Sequence, residues 1–403
     1  MASRNERTGT GGGGRGEVAL VLSGGGARGA YQVGVLKGLA ELGVGAPGKS
    51  PFAILVGSSA GSINAAMLAA HADHFEDGVA ELARLWGNIQ AKQVFRTDVA
   101  SLGGIGLKWV RDLTFGGAIG HVAPKALLDT APLRKLLARA IPFGEIAGNV
   151  ERGALQAVAI SATNLYTTNG VVFVQGAPSL PTWSRIRRHV ERTEIAVEHL
   201  MASSAIPVFF PSVEIGGRHF GDGCIRNTSP LEPAIQLGAQ RIVAVGVRES
   251  SPRPEGAAPK RLPPPTIAQI AGVLLDAVML DSIEVDVDHA LRVNQSVAAH
   301  GGAANDPFHF VDVLWLSPTR SFGEIAAEMA DHVPGIVRYL LRGLGGDEAT
   351  TELVSYLLFD AAFCSKLIEL GTEDVKRRAD EVRAFFAEEG GRGSTDRRRS
   401  RAA

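Results

Sequence analysis

Cysteine is almost missing from this chain: Cys224 and Cys364 are the two among 403 residues. They make no disulfide framework, so the fold must be held by its core, and the composition suits a reducing compartment. Long apolar runs are missing as well. A membrane-spanning helix needs about 20 apolar residues. The nearest approach, Thr266 to Leu280, is followed by Asp281, Glu284, Asp286 and Asp288 and reads as a packed or interfacial helix. The first 16 residues contain Gly11-Gly12-Gly13-Gly14 and no apolar core of a secretory signal, so a cytoplasmic location is expected. Charge of one sign is lacking too: 41 basic residues face 42 acidic ones, a net charge of −1, and nucleic acid is not expected as a partner. The sequence has no metal-ligand spacing and no calcium loop, so neither a metal nor a cofactor is expected.

Glycine is plentiful, with 49 residues. The apolar run Phe52-Ala53-Ile54-Leu55-Val56 passes into Gly57-Ser58-Ser59-Ala60-Gly61 and then into a helix of small residues, Ser62 to Ala70. Strand, sharp turn and helix in that order form the setting of a nucleophile elbow, which makes Ser59 the candidate nucleophile. The plainer alternative is a tight turn whose glycines only permit close packing.

A second strand-to-helix loop lies upstream. Val18-Ala19-Leu20-Val21-Leu22 runs into Ser23-Gly24-Gly25-Gly26-Ala27-Arg28-Gly29, then into a helix with Ala30, Val33, Leu36, Leu39 and Ala40 on one face and Gly43 as its stop. Such a loop turns bare backbone N–H groups toward an anion. The spacing Gly24-x-Gly26-x-x-Gly29 also fits a dinucleotide fingerprint, but that reading wants an acidic residue at the end of the next strand, and the run ending at Val56 has none. The other use of the loop is an oxyanion hole formed by the amides of Gly25 and Gly26.

Further on, an Ala/Ser-rich helix, Ala196 to Ala205, must stop at Pro207. It is followed by Phe220-Gly221-Asp222-Gly223-Cys224. Together, Gly24–Gly29, Gly57–Gly61, Ala202-Ser203-Ser204-Ala205-Ile206-Pro207 and Asp222-Gly223 resemble the patatin-like phospholipases, in order and spacing, over roughly residues 17 to 250. The resemblance implies a lipid acyl hydrolase acting through an acyl-serine intermediate, with Ser59 as nucleophile, Asp222 as its base and no catalytic histidine. It implies an oxyanion loop of Gly24, Gly25, Gly26 and Arg28, and places Gly29, Gly57, Gly61 and Gly223 in the motifs. The implied substrate is a phospholipid, lysophospholipid or neutral lipid, with peripheral membrane contact as a corollary. Cys224 departs from the Gly or Ala usual after Asp-Gly in that family.

An aspartate of ordinary pKa near 4 is a poor base, and burial near Phe209, Phe210 and Phe220 is the available means of raising it. A Ser-His-Asp triad is the rival, since His199 and His219 lie near Asp222 in sequence. His219 sits three positions before Asp222, and an odd offset on a strand puts the two on opposite faces. Arg28 either orients its loop or meets a phosphate headgroup; a structural arginine bonded to carbonyls is the plain alternative.

The alternation of strands and helices argues for an α/β layered sheet, and the resemblance implies a three-layer α/β/α fold around a mostly parallel sheet. Further strands are expected at Leu155–Ser161, paired with Val171–Val174, at Arg241–Val247, and at Phe308–Leu316 rejoining the sheet. The expected divisions are a tail at 1–16, a catalytic domain at 17–320 containing a Pro-rich stretch at 251–265, a helical extension at 321–390 and a basic tail at 391–403. The extension reads as a packing cover or an oligomer surface. The tail either docks on anionic lipid or stays solvated. Trp86 to Thr130 mixes glycines with apolar residues, as a mobile cap or a packed insertion would. Acyl transfer through the same residues and a non-catalytic lipid-binding or scaffold role remain open at this level, as does oligomeric state.

Overall fold

The computed structural model describes residues 17–45, 49–96, 126–249, 281–300, 309–333 and 351–387, with the single positions 264, 270, 273, 277, 335 and 338. The central part of the Trp86–Thr130 insertion, the Pro-rich stretch, most of the helices expected at 266–280 and 336–344, and both tails lie outside the described residues.

Among the described residues ten strands form one mixed sheet: β1 (Val18–Leu22), β2 (Ile54–Ser58), β3 (Ala157–Asn164), β4 (Gly170–Gly176), β5 (Ser184–Arg185), β6 (Arg188–Arg192), β7 (Val213–Ile215), β8 (Arg218–Asp222), β9 (Arg241–Val245) and β10 (Asp312–Leu316). The order is β10-β9-β1-β2-β3-β4-β6-β5, with β7 and β8 off this path. β10, β9, β1, β2 and β3 pair in parallel, and β4 pairs antiparallel to β3. The expected strand at residues 308–316 does rejoin the sheet, as the edge strand β10.

Continuous apolar runs suit these strands because both faces are covered. Side chains alternate between two cores. Leu20, Leu22, Leu55, Val243 and Val245 enter the larger one, while Ala19, Val21, Ile54, Val56, Ile242 and Ala244 enter the smaller. Helices α1 (Gly29–Glu41), α2 (Ala60–Ala70) and α3 (Phe75–Gly87) cover the first face; Ile283 and Val287 of the later helix Asp281–His300 help cover the second. The result is the expected three layers. α1 ends as its sequence foretells, with Gly43 at φ 72°, the left-handed geometry of a helix stop.

One strand end sets the site. β3 is longer than β2: Ser58 pairs with Ser161, and from Ala162 onward the same edge of β3 is taken by β8, running the other way, with Asp222 opposite Ala162. β2 and β8 therefore meet head to head along one edge of β3. β2 cannot run straight on past Ser58, so the chain turns into α2 at Ser59.

The C-terminal helices belong to the same packing. The helix Ala361–Arg377 lies against α1 so closely that a β-carbon on Gly34 would sit 2.1 Å from the Ile368 carbonyl oxygen, and one on Gly371 would sit 2.4 Å from that of Tyr31. Thr372 Oγ1 donates to Gly34 O at 3.1 Å and Tyr31 donates to Asp374 at 3.1 Å across this contact. Leu353, Tyr356, Phe363, Leu367 and Val375 share the larger core with the sheet. Because backbone meets backbone here, Gly34→Ala is expected to destabilise the protein by about 1–3 kcal/mol. Gly144→Ala, where the added carbon meets nothing within 4 Å, is expected to be neutral or slightly stabilising. Denaturant unfolding of both variants checks the contrast.

Candidate active site

Ser59 sits at φ 51° and ψ −125°, backbone angles that cost about 1–3 kcal/mol for a residue with a side chain. The glycines around it are needed for space. A β-carbon on Gly57 would lie 2.4 Å from Gly61 O, and one on Gly61 would lie 2.3 Å from Leu22 O. The turn is held from three sides: Ser59 N–H donates to Ser203 Oγ at 2.9 Å, Ser62 Oγ donates to Ser59 O at 2.6 Å, and Asn227 Nδ2 donates to Ser58 Oγ at 2.9 Å.

Asp222 ends β8 with no exposed surface. Its Oδ1 accepts from Cys224 N–H at 2.9 Å, which caps the short turn that follows. Gly223 permits that turn, since a β-carbon there would be 2.3 Å from Ser161 O. Burial raises the Asp222 pKa to about 6 against the opposing pull of the Cys224 N–H, the Ser59 hydroxyl and the Cys224 thiol. Ser59 thus faces the carboxyl closely enough to favour its charge, while Oδ2 makes no hydrogen bond of full geometry among the described residues. No cation among the described residues acts on this carboxyl. Cys224 fits the turn as a neutral thiol, its pKa pushed well above the usual value by burial and by Asp222.

The glycine loop lies beside the elbow. A β-carbon on Gly61 would also approach Ser23 O at 2.6 Å, and one on Gly29 would be 2.7 Å from Ala60 Cβ. Gly24 N–H faces the Cys224 sulfur. The N–H groups of Gly25 and Gly26 meet no acceptor among the described residues. A buried network fixes the loop to the helices behind it: Gln32 donates to Ser23 O at 2.8 Å, Asn64 donates to Gln32 Oε1 at 2.9 Å and to Gly29 O at 3.1 Å, and Trp86 Nε1 donates to Asn64 Oδ1 at 2.8 Å.

Arg28 takes the structural course of the alternatives raised by the sequence. Its N–H donates to Gly25 O at 3.1 Å. Its buried guanidinium donates to Ser355 Oγ at 2.8 Å and to Glu352 Oε2 at 2.7 Å, and lies 3.9 Å above the Tyr356 ring. It braces the loop against the helix Thr351–Leu357.

The histidines of the rival triad are engaged elsewhere. His199 Nδ1 accepts from Ala196 N–H at 3.0 Å and its ring packs on Phe173; burial lowers its pKa, which favours the neutral ring. His219 lies 3.3 Å from Ser212 Oγ. Neither hydrogen-bonds Asp222 among the described residues.

From Ser59 an apolar pocket leads away between Ile63 of α2, Leu85 and Trp86 of α3, Leu133, Leu136 and Leu137 of the helix Ala131–Ala140, Ile206 and Phe210. Phe359, from the C-terminal region, closes one wall. Reasoning from sequence missed Ser203 as the support of Ser59, although it lies in a quoted motif. It also missed Glu352, Ser355, Tyr356 and Phe359, more than 320 residues beyond the loop in the case of Glu352 and Ser355, for which no local signal existed.

Comparison with known proteins adds family membership. The sequence model described as Patatin-like phospholipase matches residues 20–235, more than half of the 403-residue chain. No curated protein matches. Among solved structures, VipD from Legionella pneumophila is 11% identical with a TM-score of 0.34, covering 91% of this chain and 67% of its own. Human GIVD cytosolic phospholipase A2, bound to methyl gamma-linolenyl fluorophosphonate, is 12% identical with a TM-score of 0.38, covering 93% of this chain and 59% of its own. ExoU of the Pseudomonas aeruginosa type III secretion system, in complex with SpcU, is 21% identical with a TM-score of 0.23, covering 48% of this chain and 37% of its own. The extent of the sequence match carries the assignment: the chain belongs to the patatin-like phospholipase family, a family of lipid hydrolases.

Proposed function

We propose that this protein cleaves carboxylic esters of phospholipid or lysophospholipid through a Ser59–Asp222 dyad. The observation that carries the reading is a fully buried carboxyl of pKa about 6, facing a serine on a strained turn at the head of an apolar pocket. The pocket takes the acyl chain, whose burial orients the ester carbonyl over Ser59. Ser59 Oγ attacks the carbonyl carbon as its proton passes to Asp222. The N–H groups of Gly25 and Gly26 receive the oxyanion, each such donor being worth about 3–4 kcal/mol in the transition state. Asp222 then protonates the departing alcohol and the acyl group stays on Ser59. Water attacks that ester with Asp222 again taking the proton, which Asp222 then gives to the departing Ser59 Oγ as the fatty acid leaves.

A base near pKa 6 is ionised at neutral pH yet basic enough to accept a proton in flight, whereas an ordinary aspartate is too weak. The folded state also holds the Asp222 proton more tightly than the unfolded chain does. Stability therefore falls as pH rises from about 4 through about 6, and the lost stability, about 3 kcal/mol at most, stays lost above that range.

Fatty acid release from phospholipid and lysophospholipid vesicles tests the dyad. Ser59→Ala and Asp222→Asn are expected to lower turnover by about 10³-fold or more while remaining folded by circular dichroism; wild-type rates in both would overturn the assignment. Asp222→Asn is further expected to melt at or above the wild-type temperature at pH 8, because it removes a buried charge.

The pH profile of kcat/KM should be flat above about 6 and fall about tenfold per unit below it, one proton being involved. For the pocket, Leu136→Phe is expected to shift preference toward shorter acyl chains in a series of esters, with short-chain turnover kept.

A further inference from the structure

The sheet end that carries Ser59 and Asp222 also carries a rim of exposed apolar side chains. β3 leaves this end at Asn164 and the chain returns as β4 at Gly170. The turn between them is held by Asn169 O, which accepts from Asn164 N–H at 2.9 Å, and by the Asn164 side chain, which accepts from Tyr166 N–H at 3.0 Å. Its tip presents Leu165 and Tyr166, 45% and 77% exposed. β6 runs parallel to β4 with Arg188 opposite Gly170, so the β5–β6 turn, Ile186 and Arg187, projects from the same end. Ile186 is 94% exposed. The two turns lie about 10 Å apart by strand spacing, and Gly170 N–H donates to Arg187 O at 2.9 Å. Single exposed apolar residues mean little, but three on two neighbouring tips make a patch.

The two tips carry basic residues and no acidic one of their own, and the nearest exposed carboxylate is Glu214 of β7, opposite His219, whose ring lies 6.0 Å from that of Tyr166. From Leu165 to Arg188 the sequence contains no Asp or Glu. Arg185 and Arg188 pair with Glu232 at 3.5 and 2.7 Å, and Arg218 pairs with Glu191 at 2.6 Å. Arg187 and Arg226 have no acidic partner among the described residues, and Arg226 Cβ lies 3.5 Å from the position of a Gly170 β-carbon, next to the tips. Between Arg218 and Asn227 the sole acidic residue is the fully buried Asp222.

The rim also continues into the site. Leu165 N–H donates to His219 O at 3.0 Å, and Leu165 Cδ2 is 3.0 Å from where a β-carbon on Gly221 would stand, one residue before Asp222.

We propose that this rim docks on an anionic lipid surface, with Leu165, Tyr166 and Ile186 entering the headgroup boundary and Arg187 and Arg226 meeting lipid phosphates. The proposal rests on the lipid-ester reading of the site and supplies the orientation in which that site meets its substrate. Projecting apolar tips suit a bilayer, which they enter by about 5–10 Å, and tyrosine favours the headgroup level. A protein partner would need about 800 Å² of matched surface, which two turn tips do not offer.

The test is co-sedimentation of the full chain with phosphatidylcholine vesicles, with and without phosphatidylglycerol, for wild type, Arg187→Glu/Arg226→Glu and Tyr166→Ser/Ile186→Ser. Turnover of a soluble short-chain ester is measured alongside without vesicles. Wild type is expected to bind the anionic vesicles more tightly. Loss of each cation is expected to weaken that binding about fivefold, charge reversal further, and the apolar pair to release the protein, with soluble-ester turnover unchanged throughout. Variants that sediment like wild type, or a wild type indifferent to phosphatidylglycerol, would overturn the proposal. A wild type without soluble-ester turnover whose variants still lose vesicle binding would leave the docking surface standing and sink the hydrolase reading instead.

Discussion

A carboxyl group with no exposed surface and, among the described residues, no cation acting on it is the constraint around which this structure is arranged. Left alone, such a group would take up a proton and stop being a base. Its pKa settles near 6 because one backbone N–H, a serine hydroxyl and a thiol oppose the burial. An arginine in their place would stabilise the charge further and return the group to the weak basicity of an ordinary aspartate. Placing Arg28 behind the loop, tied to Glu352 and Ser355, keeps its cation engaged away from the carboxyl.

That balance depends on strand register. Ser58 and Asp222 occupy successive positions along one edge of β3, opposite Ser161 and Ala162, because β2 stops where β8 arrives. A slip of one residue in either strand would turn the side chains to the other face of the sheet. The register is secured beyond the backbone ladder by Thr163 Oγ1, which donates to Asp222 O at 2.8 Å, and by Asn227 on Ser58. Ser59 can then be held at unfavourable angles, since Ser203, Ser62 and the close approach of Gly57 to Gly61 leave the turn no other course.

The parts of this arrangement legible in the sequence were the local ones. Both glycine turns, the elbow serine and the Asp-Gly pair announce themselves within a few residues, and apolar runs flanked by helices foretell a layered sheet with β10 returning to it. The opposite-face argument for His219 relative to Asp222 needs only the strand period, and the partners of His219 agree with it. What stayed hidden was contact across long separations. Nothing in Gly26 foretells that its α-carbon packs on the Tyr356 carbonyl, where a β-carbon would come within 2.3 Å. The sequence of Arg28 allows a headgroup contact as readily as an ion pair with Glu352. Only packing decides between them.

The same long contacts alter the standing of the C-terminal helices. The family match ends at residue 235, before β9, β10 and the helix Ala361–Arg377 that packs on α1. Yet β9 lies between β1 and β10 in the sheet, Tyr356 fixes the glycine loop, and Phe359 is a wall of the pocket. A chain cut at the end of the matched region would leave β1 as a bare edge and Arg28 as a cation stripped of Glu352. The residues of the proposed chemistry lie in the matched segment, but the contacts that hold their loop and wall their pocket come from outside it.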